Sequence, residues 1–500
     1  MNDVHFHYYL AYMTEQGHQS GVDLWQVKLS CVKAKRLEMK RLSGLGAALV
    51  SVSLLAISAG AHAQSLEETL ALAYNSNPTL LAERARLRAT DEGYIQARSA
   101  LFPTVSANAS ISSQESTSES TFIIGGTAFS SNSESNSTPK NYSITASQAI
   151  YRGGRTSGAI EQASSAVMAG REQLRSVEQA VLVDAVTAFM DVRRDFEVVN
   201  IRRNSADVLV RHLQAARDRF EVGEITRTDV AQAEARLSGA QAQLAAAQAQ
   251  MAISRAAYER VTGQPAATLQ DPSALPGLPD NLADAAELAY RYNPQLLSAQ
   301  YGEDAARQGV RVARGAMRPE VSLQASASSA RDSNFTGDVR DSTQVSARVS
   351  MPIFTGGLNG SRVRAALASE EQARFQVREA RRQVTEGVAI AWNGYVASLA
   401  VIESSRQASR ANEIAFDGVE QEAFVGIRTT LDVLDAEQEL LESRLTLVTA
   451  ERDSYVAGYR LMQAMGIASA EQLGLGVELY DPETQMDHSS VDNFDLTPWN

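Results

Sequence analysis

The chain has 500 residues, a formal net charge of −13 and only 6% aromatic residues. That length points to two or more units, and the acidity argues against nucleic acid as a partner, because phosphate binding needs a basic surface. Sparse aromatics beside abundant Ala, Gln, Ser and Arg favour long, closely approaching helices over a bulky core.

Residues 1–38 look unlike any domain and are read as an N-terminal extension holding the only cysteine, Cys31. Residues 39–63 read as an export signal. Lys40 and Arg41 precede the apolar run LSGLGAALVSVSLLAISAG, and Ala61–Ala63 (AHA) forms a small-residue cleavage site before Gln64. The exported chain then has no cysteine, so no disulfide or thiol chemistry is expected. It also lacks an apolar run long enough for a transmembrane helix, which leaves a soluble protein or a β-barrel.

Residues 64–269 and 281–467 read as two copies of one pattern, joined by the proline-rich linker 270–280. LAYNSNPTLL at 72–81 matches LAYRYNPQLL at 288–297, an offset of 290 − 74 = 216. IYRGG at 150–154 matches IFTGG at 353–357, and Gly223 matches Gly426, both with an offset of 203 (353 − 150; 426 − 223). The change in offset places a longer Ser/Thr/Asn-rich loop, about 114–140, in the first copy, where loop tips absorb length differences.

Each copy predicts the same elements. A helix spans 66–99 or 281–314. Two strand-like segments follow. Val105, Ala107, Ala109 and Ile111 share one face, as do Val345, Ala347, Val349, Met351 and Ile353. Phe102, Tyr142, Tyr151 and Phe354 near the segment ends suit a membrane interface, although a soluble sheet gives the same alternation. A long helix then covers 156–219 or 359–420, a glycine turn reverses the chain, and a returning helix covers 229–262 or 431–465. The returning helices carry heptads: Val230, Leu237 and Leu244 with Ala233, Ala240 and Ala247 in the first, and Val433 and Leu440 with Ala436 and Ser443 in the second. Small residues in such a seam permit close helix approach. A further seam in the second copy, Leu434, Leu441, Val448, Tyr455 and Met462, allows packing against two neighbours; a single broadened face of a globular helix is the alternative. Four strands cannot close a barrel, so transmembrane strands require several chains. Residues 468–500 read as a polar C-terminal tail, mobile after about Leu473.

No catalytic constellation accompanies this architecture. After the signal the only histidines are His212 and His488, and neither a metalloprotease helix motif nor a phosphate loop is present. GGRTSG at 153–158 lacks the phosphate-loop lysine and reads as a turn. The sequence thus predicts no enzyme, no cofactor and no metal site. One pair of acids stands out: Asp432 and Asp435 lie three apart, on one helix face. Two carboxylates so close can do acid–base work or hold a hard cation, but no third group lies in sequence reach. Thr429-x-x-Asp432, repeated as Thr226-x-x-Asp229, also reads as a helix-start capping box. Asp435 lies beyond that cap.

The duplicated LAY…NP, the IYRGG and IFTGG turns, and the paired VGxxTxxDV turns resemble, in tandem order, the TolC family of outer-membrane efflux proteins, over about residues 65–467. The resemblance implies a fold that is mainly α with a small β-barrel contribution. It implies a trimer in the outer membrane and periplasm, with a 12-stranded outer-membrane β-barrel continued by a 12-helix periplasmic α-barrel. It implies a passive exit duct for efflux or type I secretion. Its partners would be outer-membrane lipid, a periplasmic adaptor (membrane fusion) protein and an inner-membrane transporter of the RND or ABC type. A helical periplasmic scaffold without a pore is the alternative. By the same resemblance, Asp432 and Asp435 form acidic rings at the periplasmic entrance. Arg428 links to Thr228 and Asp229 in the closed state, and Val222–Gly223 and Val425–Gly426 are the turns that meet the adaptor. The family's supporting tyrosine is unmatched: Ala423 stands there, beside Phe424, which implies a less constrained closed state.

Overall fold

The computed structural model describes residues 64–275, 277–333 and 337–482. The expected extension 1–38, the signal 39–63 and the tail from 483 onward lie outside the described residues. All described elements belong to the unit Gly60–Asn500.

Helices α1 (Leu66–Ser76) and α2 (Pro78–Ser99) replace the single helix expected over 66–99. The same division separates α5 (Leu282–Tyr292) from α6 (Pro294–Gly315). The cause is the Asn-Pro pair. Proline disfavours helical geometry in the residue before it, and Asn77 and Asn293 are extended, with ψ of 121° and 118°. Each asparagine then works twice. The Asn77 side-chain oxygen accepts from Thr79 N–H at 3.0 Å, and its amide donates to the Val261 carbonyl at 3.0 Å. Asn293 accepts from Gln295 N–H at 3.0 Å and donates to the Ala464 carbonyl at 2.9 Å. The duplicated motif therefore caps one helix and ties down the end of another.

The long helices are α3 (Arg155–Glu221) and α7 (Leu358–Phe424), of 67 residues each. At 1.5 Å per residue each spans about 100 Å. The returning helices α4 (Arg227–Thr262) and α8 (Thr430–Met465) have 36 residues each. α3 packs on α4, α7 packs on α8, and α3 joins the two hairpins by packing on α8. The α4 seam is the expected small-residue one, with Ala233, Ala240, Ala247 and Ser254 buried. α8 buries residues of both its expected seams, Val433 and Leu440 with Leu434 and Met462, because it faces α7 on one side and α3 on the other. The main core gathers where the short helices meet the middle of α3 and the ends of α4 and α8. Leu70, Leu80, Phe189, Tyr258, Leu461 and Met465 are fully buried there, and each such side chain contributes about 1.5–3 kcal/mol. α8 ends at Gly466 (φ 81°), where an added Cβ would stand 2.4 Å from the Tyr292 carbonyl oxygen, so no other residue fits without backbone movement.

Strands β1 (Thr104–Ile111), β4 (Lys140–Tyr151), β5 (Glu320–Arg331) and β6 (Val339–Ser350) form one antiparallel sheet in the order β1-β4-β5-β6. The register places Ala107 opposite Ile144, Ile144 opposite Ala327, and Ala325 opposite Val345. Opposed residues share a face, so Val105, Ile144, Leu323, Val345 and Val349 lie on one side, and Ser106, Thr145, Gln324 and Arg348 on the other. β1 is exposed along its whole length, and most of the large apolar residues of this sheet are exposed too. β6 stops at Ser350, which leaves the predicted strand residues Met351 and Ile353 past its end.

Two expectations are corrected here. The loop expected near 114–140 is largely a hairpin, β2 (Gln114–Ile124) and β3 (Thr127–Ser137). Gly125 and Gly126, with φ of 60° and 87°, supply the paired positive angles of a tight hairpin turn. Serine and threonine on both faces hide the period-2 signal that marks other strands. The tail expected to be mobile after Leu473 is docked as far as it is described. Ala468, Ala470 and Leu475 are buried, Ala470 N–H donates to Glu178 at 2.7 Å, and Tyr480 N–H donates to the Tyr74 hydroxyl at 3.0 Å.

Candidate functional site

The two helical hairpins end in turns of matching construction. Gly223 and Gly426 adopt φ of 81° and 82°, with open space where a Cβ would stand, so glycine is required there by the backbone angle and not by crowding. The reversals close when Glu224 N–H donates to the Arg219 carbonyl and Ile427 N–H to the Glu422 carbonyl, each at 2.9 Å. The next helix begins at once. Asp229 accepts from the backbone N–H and the hydroxyl of Thr226, both at 2.8 Å. Asp432 accepts from the same groups of Thr429, at 2.9 and 2.8 Å. The backbone N–H bond is the main cause that holds each carboxyl below the usual Asp range. The capping reading of both acids therefore holds, and it leaves both half-buried at the helix starts.

The surroundings of the turns differ. Arg428 Nε donates to Glu422 at 2.9 Å, and that contact raises its pKa. The structure does not bring Arg428 to Thr228 or Asp229 within one chain: Glu422 holds the arginine, and Thr226 holds the aspartate. Asp435 is paired at 2.6 Å with Arg236 of α4, which also reaches Gln438. Val222, Phe424, Val425 and Ile427 leave an apolar, exposed surface at the tips.

Sequence reasoning missed Arg236 and a buried cluster beside it. Glu437 of α8 is 8% exposed and faces Ser205 and His212 of α3. Burial pushes the Glu437 carboxyl up to about 7 and the His212 imidazole down. A signal did exist: Glu437 falls between Val433 and Leu440 on the apolar seam, where a carboxylate is out of pattern. Among the described residues no group of three or more His, Cys, Asp or Glu is placed to hold a metal ion. None of the described helices is long and apolar enough to cross a membrane.

An open four-stranded sheet with one apolar and one polar face is carried here on helices about 100 Å long. The outer membrane efflux protein family model matches residues 69–264 and 285–467. The chain belongs to that family and is an outer-membrane exit duct that extends into the periplasm. The outer membrane efflux protein BepC of Brucella suis biovar 1 (strain 1330) is 35% identical over 425 residues, covering 85% of this chain and 90% of that protein. Outer membrane protein TolC of Vibrio cholerae serotype O1 is 25% identical over 448 residues, covering 87% of this chain and 97% of its own. The fold also matches the crystal structure of the Campylobacter jejuni CmeC outer membrane channel, with a TM-score of 0.71, 15% identity, and coverage of 85% of this chain and 89% of that one.

Proposed function

We propose that three copies of this chain close a 12-stranded barrel, continued by a 12-helix tunnel, and that each copy arose from two internal repeats, 64–269 and 281–467, joined by the linker 270–280. The observation that carries this reading is the four-stranded sheet. Among the described residues its edges β1 and β6 have no further strand partner, and its apolar face has no protein core against it. Four strands are too few to close a barrel, and open edges and bare apolar faces favour association. Lipid outside and polar residues inside a shared barrel satisfy both faces. Phe102, Tyr142, Tyr151 and Phe354, all exposed, then form the interfacial girdles. The equal helix lengths support the duplication.

In this reading residues 39–63 are a cleaved signal peptide behind the extension 1–38. The helical tips are the periplasmic entrance, and three copies of Asp432 and Asp435 line it as acidic rings that favour cations. Arg428 reaches Thr228 and Asp229 of a neighbouring copy in the closed state, in exchange for its exposed contact with Glu422. The apolar surface of Val222, Gly223, Val425 and Gly426 receives a periplasmic adaptor, through which an RND or ABC transporter of the inner membrane delivers substrate. The duct itself does no chemistry and binds no cofactor.

Reconstitution of the mature chain in planar bilayers tests the proposal. Cross-linked trimers and cation-preferring channels are the expected result. A chain that stays monomeric and outside the membrane, and gives no conductance, overturns it in favour of a periplasmic scaffold.

A further inference from the structure

Glu437 sits on the face of α8 that packs on α3, two residues past Asp435. Its Oε1 accepts a long hydrogen bond, 3.4 Å, from the Ser205 hydroxyl. Its Oε2 is buried without a hydrogen-bond partner, and His212 Nε2 stands 3.9 Å away. Ser205 and His212 are seven residues apart on α3 and bracket the carboxyl from two turns of one helix face. The remaining charges around it are Arg211 from α3 and Glu420 from α7. On α8 itself Asp435 is occupied by Arg236 from α4. A cleft of about 160 Å³ lined by His212, Arg219, Glu420 and Phe424 opens beside the imidazole.

A buried carboxylate oxygen with no donor is costly, and such a group relieves the cost by taking a proton. Packing alone does not explain its presence, because an apolar residue between Val433 and Leu440 would join the two helices at lower cost. We infer that Glu437, bracketed by Ser205 and His212, is a positioning residue of the duct entrance: with one proton on the Glu437–His212 pair the start of α8 is seated on α3, and loss of that proton loosens the seat and moves the turn that carries Asp432 and Asp435. The inference rests on the duct reading of the helical tips.

The proton comes from solvent, and the pair holds it whichever member carries it. A protonated Oε2 donates to the imidazole while Oε1 accepts from Ser205, once the 3.9 Å contact shortens by about 1 Å to hydrogen-bond length. Deprotonated, the carboxylate has two neutral donors at most, Ser205 and an Nε2–H tautomer of His212, and its buried charge faces Glu420, so the helix start must shift to admit water. Burial, the largest influence on both groups, raises the Glu437 carboxyl to about 7 and lowers the His212 imidazole.

The test is conductance of reconstituted trimers from about pH 5.5 to about pH 8.5, a window above the ordinary carboxylate range. The wild type is expected to conduct more as pH rises, with a midpoint near the carboxyl value of about 7. Glu437→Gln keeps the acid-side conductance at every pH, and Glu437→Asp restores a pH transition with a displaced midpoint. A wild type without a transition in this window, or a Glu437→Gln channel that titrates as the wild type does, overturns the inference while leaving the duct intact. If the wild type conducts nothing, the duct reading fails, and thermal unfolding against pH decides the role of Glu437. The folded state holds the proton more tightly than the unfolded chain. Stability is therefore full below the ordinary Glu value, is lost as pH rises to about 7, and is level above that. Glu437→Gln must remove that slope; an unchanged slope overturns the role.

Discussion

The turn at Gly223 and the turn at Gly426 have the same local design and different neighbourhoods. Each has a left-handed glycine, a capping threonine and an aspartate three residues into the next helix. With an offset of 203 (426 − 223), Ile225 stands where Arg428 is, Gln232 where Asp435 is, and Glu234 where Glu437 is. Glu234 is 54% exposed and pairs with Arg217 of its own hairpin, whereas Glu437 is buried against another hairpin. Local capping is thus shared, and the added arginine, the second aspartate and the buried glutamate distinguish the second turn. A cap needs only its own helix, while the proposed gate needs groups that reach another one.

The largest expected break in that contrast comes from charge at the entrance. Neutralising Asp432 and Asp435 together as Asn removes six carboxylates from the proposed trimer and should abolish most of the cation preference proposed for it, read as a reversal potential in a salt gradient. Gln232→Asn in the first turn should leave the preference unchanged. Equal effects would mean that both turns line the lumen alike.

Arg428→Ala comes next. The proposed trimer carries three such arginines, so their joint loss is expected to raise closed-state leak above the wild-type level. Ile225→Ala, at the matching place, should show no leak. Single-channel recording separates the two.

The shared part of the design predicts smaller and equal effects. Thr226→Ala and Thr429→Ala each remove a helix-start contact worth about 1 kcal/mol, seen as similar drops in melting temperature. Asp229 and Asp432 are both held below the ordinary Asp value by backbone N–H donors. Their contributions are complete at neutral pH and disappear as pH falls through the depressed values. A loss at one turn only would show that the caps are not equivalent.

Arg236→Ala should have the smallest effect on stability, less than about 1 kcal/mol for an exposed pair. Its effect on conductance should depend on Asp435: the change seen in the wild type should vanish in an Asp435→Asn background. Additive changes would show that the pair is incidental.

Much of this molecule is readable along the chain. The glycine turns, the threonine–aspartate starts, the alanine seam of α4 and the alternation of Val105 to Ile111 rest on contacts between residues within a few positions of each other, so their pattern survives in one dimension. The duplicated Asn-Pro is also visible, yet the tie from Asn77 to Val261 is not, because the partners are 184 residues apart. The β2–β3 hairpin escaped because serine on both faces erases periodicity, and the docked tail because burial of Ala468 and Ala470 leaves no distinctive composition.

By itself, then, the sequence determined the elements, their order, their reversals and the acids placed at a helix start, since backbone geometry and near-neighbour hydrogen bonding decide these. Only the tertiary structure decided which charge meets which across the hairpins: that Arg236 takes Asp435, and that Glu437 is sealed against Ser205 and His212. Those choices depend on how one hairpin lies on another, and the energy of a charge is set by the dielectric and partners it finds there rather than by its place in the chain.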